Sequence, residues 1–114
     1  MAANAADESD PKWKKQEEAL CAQYQRKILL KKVDVKEAQV MDAVRLTVAG
    51  LDKEEKETDI ANAIKAHFDQ KYGPKVWHVC VGRKYGSHVT HEHGGFLYIN
   101  VNRTAVLAFV ARAK

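Results

Sequence analysis

Cysteine is scarce: Cys21 and Cys80 are the only two among 114 residues. Two thiols that far apart give no disulfide framework and no paired C-x-x-C metal knuckle. No apolar run approaches the ~18–20 residues needed to span a bilayer. The first residues lack a basic start followed by an apolar stretch, so they do not read as a secretory signal. The sequence is expected to be that of a cytosolic, reduced protein with no membrane association. Acidic side chains are nearly missing from the last third, where residues 75–114 hold six basic groups and the single carboxylate Glu92. The formal charge of +4 therefore resides there, since residues 1–26 sum to −1 and residues 27–74 to zero. What remains is ordinary for one folded domain, 46% hydrophobic and 30% charged, which excludes a wholly disordered chain.

Residues 1–9 are small, polar and acidic and have little with which to build a core. Asp10-Pro11 is a helix start, and Trp13, Glu17, Leu20, Tyr24 and Ile28 follow at helical spacing, apolar except at Glu17. A helix that short is marginal alone in water and has to dock on its own domain or on a partner. Residues 28–33 form a strand candidate, and Asp34-Val35-Lys36-Glu37 reads as a capping box with Asp34 in the capping position. Val40, Met41, Val44, Val48 and Leu51 give one helical face, weakened at Gly50, and Ile60, Ile64 and Phe68 give another that ends at Gly73-Pro74. The period then changes from 3.6 to 2. Strands are expected at 76–81, 85–92, 96–101 and 104–110, with a turn at Gly94-Gly95 and a two-residue hairpin at Asn102-Arg103. The order implies an α+β fold, two helices packed on an antiparallel sheet, with an arm over residues 1–26 and a domain over residues 27–114. A domain so small gains much from association, and a dimer is expected.

Chemistry finds little support. His88, His91 and His93, with His78 and Cys80 on a neighbouring strand, invite a metal reading, but strand residues three apart point to opposite faces. Cys80 lies mid-strand, Ser87 lacks the strand–turn–helix setting of a nucleophile, and Glu92 has no second carboxylate nearby for acid–base work. No catalysis, cofactor or metal is expected. The stronger rival is a basic sheet surface binding nucleic acid, in which Arg83, Lys84 and Tyr85 meet phosphate and a base. Against it, the six basic residues are spread over the last 40 positions, with no phosphate loop or aromatic-paired sheet motif. Residues 84–92 lie around Gly86 and just after Gly82, where the backbone is free to leave its neighbour, and a strand that departs from its sheet needs backbone partners elsewhere.

Asp59-Ile60-Ala61, Phe68-Asp69-Gln70-Lys71-Tyr72-Gly73-Pro74, Trp77-His78, Val81-Gly82-Arg83 and Tyr85-Gly86-Ser87-His88-Val89-Thr90-His91-Glu92 resemble the small, eight-kilodalton dynein light chain family. The likeness runs from about Lys27 to Phe109. It implies a non-catalytic homodimer, or a heterodimer with a related light chain, in which the strand around residues 85–91 swaps into the partner's sheet. Each of two grooves then accepts a short segment of a dynein intermediate chain or another client as an added strand, which promotes assembly of the motor complex. By the resemblance, Lys84, Tyr85, Gly86, Ser87, His88, Val89 and Thr90 carry the strand edge, and Phe96, Tyr98 and Ala105 floor the groove. His78, Arg83, Tyr85, Ser87, Val89 and His91 form the dimer interface. His88, Asn100 and Thr58 depart from the family's tyrosine, aromatic and lysine, which puts its usual threonine-glutamine-threonine-like client core in question. The divergent groove and added arm point to an outer-arm light chain of the axoneme in a cilium or flagellum, rather than a general cytoplasmic hub.

Overall fold

The computed structural model describes residues 11–73, 76–83 and 91–111, with backbone alone at 91–94 and 111. Among them are three α-helices, α1 (Lys14–Tyr24), α2 (Glu37–Asp52) and α3 (Glu57–Lys71), and four strands, β1 (Ile28–Asp34), β2 (His78–Gly82), β3 (His91–Val101) and β4 (Thr104–Ala111). The strands form one antiparallel sheet in the order β1-β3-β4-β2. This is the α+β arrangement expected, with α1 as a third helix on the same body.

Alternation decides which side of the sheet the helices cover. Leu30, Ile99, Val106 and Val81 stand in one row across the four strands, and Val33, Leu97, Ala108 and Val79 in the next. They pack against Val40, Ala43, Val44, Ile60, Ile64 and Phe68 of α2 and α3 in one apolar core. Within α2 the buried stripe is Val40, Ala43, Val44, Thr47 and Val48, while Met41 and Leu51 stay half-buried at its margins. Thr47 belongs in this core because its hydroxyl donates to the Ala43 carbonyl at 2.7 Å.

Several boundaries differ from the sequence expectation. Asp34 does not cap α2; it closes β1, and Lys36 occupies the cap position without a side-chain bond, its carbonyl accepting from the N–H groups of Gln39 and Val40. Gly94-Gly95 is not a turn, because β3 runs through it and absorbs the mismatch as a register irregularity between His91 and Phe96. The strand expected at 76–81 begins at His78, since the Trp77 N–H donates to Asp69 Oδ1 at 2.8 Å and leaves Val76 exposed. The Asn102-Arg103 hairpin is present: Asn102 takes φ 56°, donates its N–H to the Lys27 carbonyl at 2.7 Å and accepts the Lys27 N–H on Oδ1.

The arm has found its docking site on its own domain. Leu20 is 2% exposed, and Trp13, Cys21 and Tyr24 pack partly against the core. Glu17, the polar break in the apolar stripe, is 4% exposed and accepts the Leu30 N–H of β1 at 2.8 Å. Its burial satisfies a strand-edge donor that otherwise costs about 1–3 kcal/mol when left unpaired.

Candidate functional site

Helices cover one side of the sheet; the other carries a second set of side chains. Three rows cross it: His78, Phe109 and Phe96; Cys80, Leu107 and Tyr98; and Gly82, Ala105 and Asn100. The strand pleat dictates this grouping, because residues two apart share a face. Phe96, Ala105 and Leu107 are buried and Phe109, Tyr98 and Asn100 half-buried, while His78 and Cys80 at the β2 edge are exposed. The His78 ring stacks on Phe109 with centroids 5.3 Å apart and planes 25° apart. On the β1 side, Lys31 Nζ lies 5.3 Å from the centre of the Tyr98 ring and Lys32 Nζ 6.0 Å from that of Phe96, giving the aromatic floor a cationic rim. Asn100 Oδ1 is buried without a hydrogen-bond partner.

Of the residues singled out from sequence, the structure thus gathers Phe96, Tyr98, Asn100, Ala105 and His78 on one surface. Arg83 is exposed just past the end of β2. Thr58 stands apart, exposed in the first turn of α3 in the helical layer. Lys84, Tyr85, Gly86, Ser87, His88, Val89 and Thr90 lie outside the described residues, and the His91 side chain is likewise outside them. Cys80, Leu107 and Phe109 were not singled out for the site. The signal was present, because Ala105 had been placed in the floor and alternation along β4 puts residues 107 and 109 beside it.

The sheet has two edges with different fates. At β1, Glu17 of the arm takes the Leu30 N–H. At β2, among the described residues, no strand lies beyond. An open edge is a template for another chain, and a face of aromatic and aliphatic groups beside it gives an added strand something to pack on. No group of three His, Cys, Asp or Glu side chains able to hold a metal ion occurs among the described residues. No described helix is long and apolar enough to cross a membrane.

Two carboxylates hold the helices that support this sheet. Asp42 of α2 accepts the Tyr72 hydroxyl at 2.7 Å, His67 Nε2 at 3.0 Å and Lys71 Nζ at 3.1 Å. Burial alone raises its pKa, but these donors and the Lys71 charge outweigh it and hold the carboxyl well below the usual carboxylate range. The Tyr72 phenol is pushed up to about 12, first by burial and then by its bond to Asp42 and that group's charge. Asp69 is held below its usual value by the Lys65 ammonium and then by the Trp77 N–H.

Comparison with known proteins places this geometry. A family model described as dynein light chain type 1 matches residues 27–111. A protein of Schistosoma mansoni called "Dynein light chain" is 42% identical over 85 residues, covering 75% of this chain and 94% of the relative. In structure, the chain is similar to the dynein light chain-like domain of a Fasciola hepatica calcium-binding protein. A mercury derivative of that domain gives a TM-score of 0.64 at 20% identity over 75% of this chain and 93% of that one. Its native form gives 0.61 at 17% identity over 98% and 100%. At such identities the structural likeness bears on the fold alone.

Proposed function

Because the chain belongs to the dynein light chain type 1 family, we propose that it works as a non-catalytic dimeric hub that docks short segments of dynein intermediate chains by strand addition. The observation that carries this reading is the sheet face that no described helix covers, with Phe96, Tyr98, Asn100, Ala105 and His78 side by side next to β2, beyond which no strand lies among the described residues. Residues 27–114 serve as the light chain domain and residues 1–26 as an added arm. On this reading the strand around residues 85–91 swaps into the partner's sheet, and the client strand lies beside it. The dimer interface then takes in His78, Arg83, Tyr85, Ser87, Val89 and His91. Thr58, exposed in the first turn of α3, stands where the family's lysine meets the client.

Physical reasons support this division of labour. Main-chain ladder bonds supply affinity without regard to client sequence, while alternate side chains reach the floor and supply selectivity. The Lys31 and Lys32 rim favours a client with acidic residues, and the unpartnered Asn100 Oδ1 favours one that offers a donor. Two grooves on one dimer bind a paired client with added avidity. The family supports association with dynein complexes and the cytoskeleton, and within that setting the axoneme of a cilium or flagellum is the proposed location.

The test is sedimentation of the purified full chain together with capture of dynein intermediate chains from cell extract, in the presence and absence of nuclease. A dimer that retains those chains after nuclease treatment, and loses them on Ala105→Glu, supports the hub. A monomer at micromolar concentration that retains none of them overturns it. Nuclease-sensitive recovery of RNA or DNA favours the basic-surface reading instead.

A further inference from the structure

A second concavity lies where the start of the arm, the β1–α2 connection and the end of α3 meet. It encloses about 600 Å³ and shares no residue with the groove or dimer interface assigned above. That volume suits an occupant of drug-like size, on the order of two or three side chains. Its walls include Trp13, Tyr72 and Trp77, with Val33 and Val35 from the end of β1 and just beyond. An apolar body is therefore welcome there.

Two of its buried polar groups share one character. Gln39 and Trp77 both line the cavity, are 4% and 3% exposed, and each keeps a nitrogen donor, Nε2 and Nε1, without a hydrogen-bond partner. Lys36 and Gln39 stand at the N-terminus of the 16-residue helix α2, where the partial charge of the backbone is positive. Three lysines, Lys12, Lys36 and Lys71, belong to the lining against the single carboxylate of Asp34. Lys71 is already drawn to Asp42, which leaves the exposed Lys36 as the main cation toward an incoming group. Unpaired buried donors, a helix N-terminus and the exposed Lys36 all ask for an acceptor carrying negative charge.

We propose that this pocket is a second docking site of the chain, and that it takes an acidic segment of a partner polypeptide, a glutamate or aspartate side chain together with its apolar neighbour. The carboxylate meets the α2 N-terminus, Lys36 and the unpaired donors, while the neighbour packs against Trp13 and Trp77. Since Lys12 and Trp13 form part of the wall, the site exists only in a chain that carries the arm. It equips this light chain to hold one polypeptide on its sheet face and another between its arm and helices.

Both tryptophans of the chain line the pocket, so its occupancy is directly visible. The full chain is titrated with a blocked hexapeptide of alternating glutamate and leucine, and with its glutamine-for-glutamate counterpart. The Trp77 indole N–H resonance and tryptophan emission are followed. The acidic peptide shifts both saturably. Lys36→Glu, at an exposed position, weakens that binding about tenfold or more. Gln39→Leu removes an unpaired buried donor, so the fold persists while affinity falls. Three outcomes overturn the proposal: no shift with the acidic peptide, an equal shift with the glutamine peptide, or the same shift with acetate alone. Ala105→Glu, which obstructs the sheet-face groove, is expected to leave these readings unchanged, which separates this site from that groove.

Discussion

One aspartate illustrates how much a single side chain organises here. Asp42 collects Tyr72, His67 and Lys71 on one oxygen, and Arg45 approaches the other at 3.6 Å. It thereby ties α2 to the end of α3, and Tyr72 in turn meets Phe68 edge-on at a centroid distance of 5.5 Å. The two ends of the hydrogen bond titrate in opposite senses. Asp42 is held low in the fold, so the stability it adds is present above the unfolded carboxylate value of about 3.9 and is lost as pH falls through the folded value. Tyr72 is held high, so its contribution is complete below the unfolded phenol value of about 10 and is lost as pH rises toward 12. Denaturation midpoints followed from pH 8 to 12 are expected to fall more steeply for the native chain than for Tyr72→Phe. At pH 7 the Tyr72→Phe chain is weaker by about 1–2 kcal/mol, the cost of leaving a carboxylate with one donor fewer. Parallel alkaline profiles for the two chains contradict the assignment.

Among the elements, the α2–α3 pair shows where pattern and packing part company. In sequence, Gly50 is a weak spot in a helix, costing about 1 kcal/mol against alanine. In the fold it is a contact point: a Cβ built there sits 2.5 Å from Ile60 Cγ1 and 3.0 Å from its Cδ1. The chain then leaves α2 through Glu54 at φ 56°, with Glu54 N–H on the Leu51 carbonyl and Glu55 N–H on that of Gly50. These paired bonds make a left-handed helix stop, built with glutamate where glycine is usual. Gly50→Ala therefore destabilises the domain by about 1–3 kcal/mol through overpacking, despite the better helix propensity, as thermal unfolding will show. An unchanged or raised Tm contradicts the close approach. The helices, β1 and the 102–103 hairpin were legible because the periods of Val40–Val44–Val48 and Ile60–Ile64–Phe68 and the Asn-Arg turn are local signals. The α2 cap and the path through Gly94-Gly95 were not, because Asp34 is claimed by a strand and the two glycines fall in a register irregularity of β3 set by the pairing on either side of them. The site was legible in the same uneven way. Phe96, Tyr98 and Ala105 followed from the family likeness, while Leu107 and Phe109 share the face of Ala105 by alternation along β4, and the β3–β4 register sets all five side by side.

For the whole molecule, the problem is what to do with two sheet edges. A sheet open on both sides invites uncontrolled strand addition, while one open on a single side permits one specific partner. The arm resolves this at β1. Its Glu17 accepts the Leu30 N–H, its Leu20 is 2% exposed, and Cys21 exchanges contacts with both the N–H and the carbonyl of Ile28. The apolar burial of Leu20 contributes about 2 kcal/mol and the charge-assisted bond of Glu17 about 1.5–3 kcal/mol. Arg26, just after α1, pairs with Asp52 at the end of α2 and adds little more, being on the surface. Removing residues 1–26 thus does more than delete a handle for assembly. It is expected to lower folding stability by about 3–5 kcal/mol and to uncover a second template for pairing. In urea denaturation the truncated chain should unfold at markedly lower denaturant. In sedimentation it should form species larger than those of the full chain at the same concentration, because β1 now pairs as well as β2. Coincident denaturation curves would show the arm to be a passenger on the domain. A destabilised chain of unchanged size would show that β1 stays closed to partners even without it.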